Sequence, residues 1–326
     1  MEKIAKKKPL SLLKEGESVD DVFVVKIKKG FIQYANGFAF ELVLSDNSGK
    51  SLTYKYWGGP DEQKVKKLYD SIKPDCVVRI KGRVSKYKGK LELTTNEPDT
   101  IEVIEKGRYD ESSFVRIGTK NTEEIYNKII SEIEQIEDGK LRQMLRSIYC
   151  TKEISEKIKK HPGAIEIHHN WVGGLLEHIF EVLEICKKMY EFYPSMNRDL
   201  LVAGALLHDI GKLEELEVTS RIKSTTKGQL LGHITLGAIF LERKCNEFAI
   251  DEMTKNKLIH IVVSHHGKQD YGSPKEPMLA EAIVVYYADE LSSKTAEICD
   301  FIEGAKNDTE DDFMFHDRMK RNLLLR

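Results

Sequence analysis

The stretch LLHDIGK, residues 206–212, ends an apolar run that begins at Leu200 and places His208 and Asp209 side by side, with Lys212 just beyond. An imidazole and a carboxylate beside a helix that apolar crowding makes central are expensive to bury unless something satisfies them. Similar placements recur on both sides of the stretch. His178 lies in GGLLEHIFEVLEICKKMY, close to a stripe of Leu175, Ile179, Leu183 and Cys186. His233 opens GHITLGAIFLE, His265 and His266 close KLIHIVVSHHG, and Asp289 sits in EAIVVYYADELSSK. A single buried histidine is ordinarily hydrogen-bonded within the core. Five successive helical segments carrying His, His-Asp, His, His-His and Asp are better compensated together, by a shared divalent cation.

The other histidines define the contrast. All ten lie beyond residue 160. The second His-Asp pair, His316-Asp317, stands in the charged stretch DTEDDFMFHDRMKR and reads as a surface pair. His161 and His260 read as structural. His168 and His169 either contact substrate phosphate at the entrance to the site or are ordinary loop residues. Lys212 either neutralises a phosphate oxygen in the transition state or is a solvated lysine favoured by a helix C-terminus.

Periodicity divides the 326 residues into two kinds of chain. Short β-rich runs at 21–29, 38–46, 51–57, 76–87 and 90–95 are separated by turn material such as NSGK and YKGK. A helical pattern at 61–72 falls between the third and fourth runs, the order of an OB-fold barrel, with a small mixed sandwich as the alternative. From 106 to 119 the chain is polar and unpatterned. Beyond it Ile125, Ile129, Ile133 and Ile136 recur at helical spacing, and helical patterns run nearly to the end. The expected architecture is multidomain: a small all-β OB-fold-like barrel over 1–105, a linker at 106–119 and an all-α domain over 120–326.

Through Lys106 there are 21 Lys and Arg against 16 Asp and Glu; the remainder holds 30 against 37, so a basic front precedes an acidic rear. In CVVRIKGRVSKYKGK, Arg79, Lys81 and Arg83 project from one face of a strand while Val78, Ile80 and Val84 pack inward. Lys86 and Lys88 extend the charge, and Tyr56 and Trp57 lead the aromatic candidates for base stacking, the usual make-up of a single-strand platform. The competing reading puts the aromatics in the barrel interior and the lysines on a protected edge. The five cysteines form no C-x-x-C pair, which argues against thiolate zinc and a disulfide framework. The N-terminus lacks an apolar signal core and the run before His208 is too short to span a bilayer. A cytoplasmic protein without membrane contact is expected. No Walker A element or deaminase H-x-E and P-C-x-x-C elements occur.

The order His178, His208-Asp209, His233, His265-His266, Asp289 resembles the HD-domain metal-dependent phosphohydrolases. The fuller contexts HHNWVGGLLEH, ALLHDIGK, LGHITLG, SHHGKQDYGSP and AEAIVVYYADELSSK, behind an OB-like unit, are similar to the YhaM-type 3′–5′ exoribonucleases. The resemblance implies that His178, His208, Asp209 and Asp289 hold one ion and His233, His265 and His266 a second, with Asp209 bridging. It implies a metal-activated water that hydrolyses single-stranded RNA, and single-stranded DNA as a further substrate, with Asp209 and Lys212 in catalysis. Imidazole and carboxylate ligands suit Mn²⁺, Fe²⁺, Ni²⁺ or Zn²⁺, and the residues do not choose among them; Mn²⁺ is the expected ion, with Fe²⁺, Ni²⁺, Zn²⁺ or Co²⁺ as alternatives. The 3′-to-5′ direction comes from the resemblance alone. The alternatives are a nucleotide phosphohydrolase and a non-catalytic nucleic-acid adaptor; expected partners are RNA or DNA strands and, compatible with either, a homo-oligomer.

Overall fold

The computed structural model describes residues 3–48, 50–96, 100–110, 113–165, 168–306 and 309–326. The chain folds as two compact units, Met1–Ile117 with Val218–Ile222, and Gly118–Glu217 with Lys223–Arg326.

The first unit is a closed barrel. Strands β1 (Ser18–Tyr34), β2 (Gly37–Ser45), β3 (Ser51–Trp57), β4 (Val77–Tyr87) and β5 (Lys90–Asn96) are joined in the order β1-β2-β3-β5-β4, and β4 returns to pair with β1. Closure removes the free edges that an open sheet would leave. The pairing of β3 with β5 is parallel and the others antiparallel. Helix α1 (Glu62–Ser71) falls between β3 and β4, capped by the Asp61 side chain, which accepts from Lys64 N–H. This is the OB-fold order expected from the sequence. Two register shifts let the 17-residue β1 bend enough to serve both neighbours. Phe23, Phe40, Leu42, Tyr54, Ile80 and Leu93 fill the interior with no exposed surface.

Two features of this unit differ from the expectation. A sixth strand, β6 (Ile101–Ile104), pairs with β4 outside the barrel. The stretch expected to be a linker is also part of the unit: Tyr109 and Phe114 are buried and pack with Val22, Val24 and Val77 in a second small core. Two aromatics scattered in a polar segment have no periodicity, so only the tertiary packing exposes their role. Glu111 and Ser112 of that stretch lie outside the described residues.

The second unit is helical: α2 (Thr122–Glu134), α3 (Gly139–Tyr149), α4 (Lys152–Ile158), α5 (Gly174–Phe192), α6 (Arg198–Leu207), α7 (Lys212–Glu215), α8 (Thr226–Glu247), α9 (Glu252–Ser264) and α10 (Ala280–Lys306). Short hairpins interrupt it, β7 (Leu216–Val218) with β8 (Ile222–Ser224) and β9 (Phe313–His316) with β10 (Arg321–Leu324). Every residue of α6 from Leu200 to Leu207 is buried, surrounded by α5, α9 and α10. That is why its apolar residues show no polar face. No helix is long and apolar enough to cross a membrane among the described residues.

Candidate metal centre

Helix ends build the centre. The last turn of an α-helix leaves carbonyls without intrahelical partners, and two candidate ligands use them. His208 follows α6 and its Nδ1 lies 2.8 Å from the Ala205 carbonyl; His265 follows α9 and its Nδ1 lies 2.7 Å from the Val262 carbonyl. The buried Tyr149 hydroxyl donates to the Leu206 carbonyl at 2.6 Å, tying down the same end of α6. His266 Nδ1 is held 2.9 Å from the Tyr271 carbonyl. A carbonyl only accepts, so each of these three imidazoles carries a proton on Nδ1 and, in its neutral form, keeps Nε2 as a bare lone pair.

The remaining histidines are fixed by side chains. Helix α8 breaks at Gly232, whose φ of 69° suits glycine, and a new helical run starts at His233. Glu215 accepts from the His233 backbone N–H at 3.1 Å and lies 3.2 Å from its Nδ1. His178, on α5, has its Nδ1 3.0 Å from Ser292 Oγ of α10.

Four of these imidazoles face Asp209. Its Oδ2 lies 3.4 Å from His178 Nε2 and 3.5 Å from His208 Nε2. Its Oδ1 lies 3.6 Å from both His233 Nε2 and His265 Nε2. Asp289 Oδ1 approaches His178 Nε2 at 3.1 Å, and the two Nε2 atoms of His178 and His208 are 3.3 Å apart. His266 joins His233 and His265, each offering a ligand atom within 4.8 Å of the others. The structure therefore brings together His178, His208, Asp209, His233, His265, His266 and Asp289, from five separate stretches of chain.

The electrostatics fit a cation. Burial works to raise the Asp209 carboxyl, but Lys212 and then His208 hold it well below the usual carboxylate range. Burial likewise opposes ionisation of Asp289, which His178 keeps low. Burial pushes His178 down to about 4 and also lowers His265 and His266. His208 differs: against the effect of burial, Asp209 raises it. Two ionised carboxylates thus meet three imidazoles, His178, His265 and His266, that burial holds toward the neutral form. Asp209 Oδ1, His233 Nε2 and His265 Nε2 are buried without a hydrogen-bond partner among the described residues. Orphaned acceptors of this kind are costly, and divalent cations would compensate them. With nitrogen and oxygen donors and no thiolate, the set suits Mn²⁺, Fe²⁺, Co²⁺, Ni²⁺ or Zn²⁺.

Lys212 is not a solvated helix-end lysine. Its side chain is 11% exposed and Nζ lies 2.6 Å from Asp209 Oδ2. The structure separates the two neighbouring histidines. His169 is buried, with Nε2 3.2 Å from Glu181 Oε2, which speaks against the first of its two readings, a place at the entrance. His168 is half-buried, its ring 5.7 Å from that of His178 and its Nδ1 without a hydrogen-bond partner among the described residues. His161 is buried and its Nε2–H donates to the Lys212 carbonyl at 2.7 Å. His316 is a second correction: it is buried against Phe301 and Glu297, because the β9–β10 hairpin turns it inward, while Asp317 is exposed. Sequence reading missed Glu181, Ser292 and Glu215. Glu181 follows His178, and Ser292 follows Asp289, by one helical turn, a spacing that could have marked them.

The barrel face is less uniformly basic than β4 alone implies. Arg79 Nε donates to Asp20 Oδ1 at 2.7 Å and its NH2 group to Oδ2 at 2.9 Å, and Glu102 of β6 stands directly across from it. Lys81, Arg83, Lys86 and Lys88 are exposed. Tyr56 is not a stacking platform: it is 5% exposed and stacks on Phe40 inside the barrel. Trp57 is half-buried, edge-on to Tyr34. Strand alternation places Tyr56 inward and its neighbour outward.

Residues 175–294 match the family model of the HD domain. Over 300 residues, 89% of the chain, the sequence is 32% identical to the 3′–5′ exoribonuclease YhaM of Geobacillus sp. (strain WCH70), 87% of which is covered. It is 31% identical over 288 residues to the 3′–5′ exoribonuclease YhaM of Bacillus subtilis (strain 168), with 88% of each chain covered. Among solved structures, the second OB-fold domain of replication protein A from Methanococcus maripaludis is 21% identical, over 31% of this chain and 96% of that one, at a TM-score of 0.25.

Proposed function

We propose, from the premise that the chain belongs to the family of YhaM 3′–5′ exoribonucleases, that it shortens single-stranded RNA from the 3′ end by hydrolysing phosphodiester bonds at a divalent-metal centre. The observation that carries this reading is the Asp209 carboxylate, with two imidazole Nε2 atoms facing each oxygen. One ion would be held by His178, His208, Asp209 and Asp289, a second by His233, His265 and His266, with Asp209 shared. When bound, such ions lower the pKa of a coordinated water from about 15.7 toward 7, which supplies a hydroxide nucleophile at neutral pH.

The chain's own groups prepare the site for that chemistry. Ala205, Val262 and Tyr271 carbonyls hold protons at Nδ1 and so leave Nε2 free. Lys212, beside Asp209, places a fixed positive charge where a phosphate oxygen would gain charge in the transition state. His168 is the histidine we assign to substrate phosphate. On the barrel, Lys81, Arg83, Lys86 and Lys88 would track the nucleic-acid backbone, and Trp57, half-buried beside Tyr34, is the remaining candidate for base stacking. Mn²⁺ is the ion we favour, and single-stranded DNA a second substrate.

The test uses purified protein with 5′-labelled single-stranded RNA, with DNA and with nucleotides, each with Mn²⁺ or a chelator. A ladder that shortens from the 3′ end only with metal is expected. Intact polymer with consumed nucleotides would point instead to a nucleotide phosphohydrolase. Asp209→Asn should fold and lose turnover; full activity in it would remove Asp209 from the centre.

A further inference from the structure

We propose that Glu181 and Ser292 form a hydrogen-bonded pair whose function is to fix His178 in the one tautomer that can bind the divalent ion, which makes them positioning residues for the centre. The inference rests on the metal-centre reading above.

Three ligand histidines are oriented by backbone carbonyls, which can only accept. His178 is oriented by a hydroxyl, and a hydroxyl can donate or accept. Alone, Ser292 would permit either tautomer. If Ser292 donated to Nδ1, the ring proton would sit on Nε2, which faces Asp209, Asp289 and His208, and the ligand lone pair would be lost.

Glu181 removes the ambiguity. The Ser292 hydroxyl donates its single proton to Glu181 Oε2 at 2.7 Å, leaving only lone pairs for His178 Nδ1 at 3.0 Å. Nδ1 must then carry the proton, and Nε2 is bare. The carboxylate is itself held in place: Lys120 Nζ lies 2.7 Å from Oε1 and His169 Nε2 lies 3.2 Å from Oε2. The arrangement is economical in sequence. Helix α5 supplies the ligand His178 and, three residues later, Glu181. Helix α10 supplies the ligand Asp289 and, three residues later, Ser292. Each helix thus contributes a ligand and its support from the same face. Groups of this kind around metal-binding histidines raise ligand basicity and fix ring orientation.

Two readouts test this without RNA. Mn²⁺ affinity of the full-length protein is measured by calorimetry, and the His178 tautomer of metal-free, histidine-labelled protein by side-chain ¹⁵N–¹H correlation spectra. Wild-type His178 is expected as the Nδ1–H form. Ser292→Ala should weaken Mn²⁺ binding by about 10–100-fold and shift His178 toward a mixture, while Ser292→Thr, which keeps the hydroxyl, restores both. Glu181→Ala, on a side chain that is 30% exposed, should also give a tautomer mixture with weakened binding, and carries the test if Ser292→Ala fails to fold. Unchanged affinity and an undisturbed Nδ1–H tautomer in Glu181→Ala would overturn the proposal. A wild-type protein that takes up no Mn²⁺ would instead overturn the metal reading, and the tautomer spectra would still judge the pair.

Discussion

Adding one methyl group at Gly211 should disable the centre without replacing any of its side chains. A Cβ built there would lie 2.0 Å from the His233 carbonyl oxygen, 2.6 Å from the Gly237 N and 2.8 Å from the His233 carbonyl carbon. All three are backbone atoms, so no flexible side chain can swing away. Ordinary contact begins near 3.4 Å, so the start of the His233 helical run must retreat by about 1.4 Å. His233 Nε2 stands 3.6 Å from Asp209 Oδ1, and its displacement spoils one of the two imidazole pairs. Overpacking of this kind costs about 1–3 kcal/mol, and a misplacement of about 1 Å near the chemistry costs about 100-fold in rate. Gly211→Ala is therefore expected to melt several degrees lower, to bind Mn²⁺ more weakly and to degrade RNA about 100-fold more slowly. The matched control is Gly304→Ala in α10, where an added Cβ meets nothing within 4 Å. It should be neutral or stabilising by up to about 1 kcal/mol, since alanine is the better helix former. Thermal melts, calorimetry and turnover of labelled RNA separate the two. A Gly211→Ala protein with wild-type melting, metal affinity and turnover would refute the claim that this close approach sets the position of His233.

Acid should destabilise the metal-free protein through His161. Burial depresses its folded-state pKa to about 4, below its ordinary 6.5, so the unfolded chain protonates first as pH falls. The contribution is intact above about pH 6.5 and is lost between there and about pH 4, at a cost on the order of 3 kcal/mol. Denaturant melts should show His161→Gln with a flatter profile across that window; an equally steep one would discount the group. Replacing both Lys86 and Lys88 by alanine should weaken RNA binding and reduce the slope of log K against log salt by about 1.4, at about 0.7 per phosphate contact. Arg79→Ala, already neutralised by Asp20, should leave that slope unchanged in the same titration. Tyr56→Ala should lower barrel stability by about 3–5 kcal/mol, read from chemical denaturation. A stable variant with selectively impaired RNA binding would return Tyr56 to the interface.

The order of elements and the residues of the candidate metal centre are legible in the residues alone. Strand alternation and turn chemistry are local, so β2 to β5 and α1 stand close to where the sequence pattern puts them, whereas β1 runs from Ser18 to Tyr34, well beyond the expected 21–29. The clustering of His178, His208, Asp209, His233, His265, His266 and Asp289 is legible for another reason: polar groups among apolar helical residues demand a common explanation. Other properties depend on what lies opposite in space, and only packing fixes them. Asp20, 59 residues from Arg79, cancels a cation that β4 alone presents as free. Tyr56 and Trp57 are adjacent in sequence and point to opposite sides of a closed wall. His316 sits in a charged stretch yet turns inward on a hairpin. Glu181 and Ser292 look like ordinary helical residues until two helices pack. A side chain's type and period are written in the local chain, whereas its partner, and hence its charge and proton, are fixed only when distant segments meet.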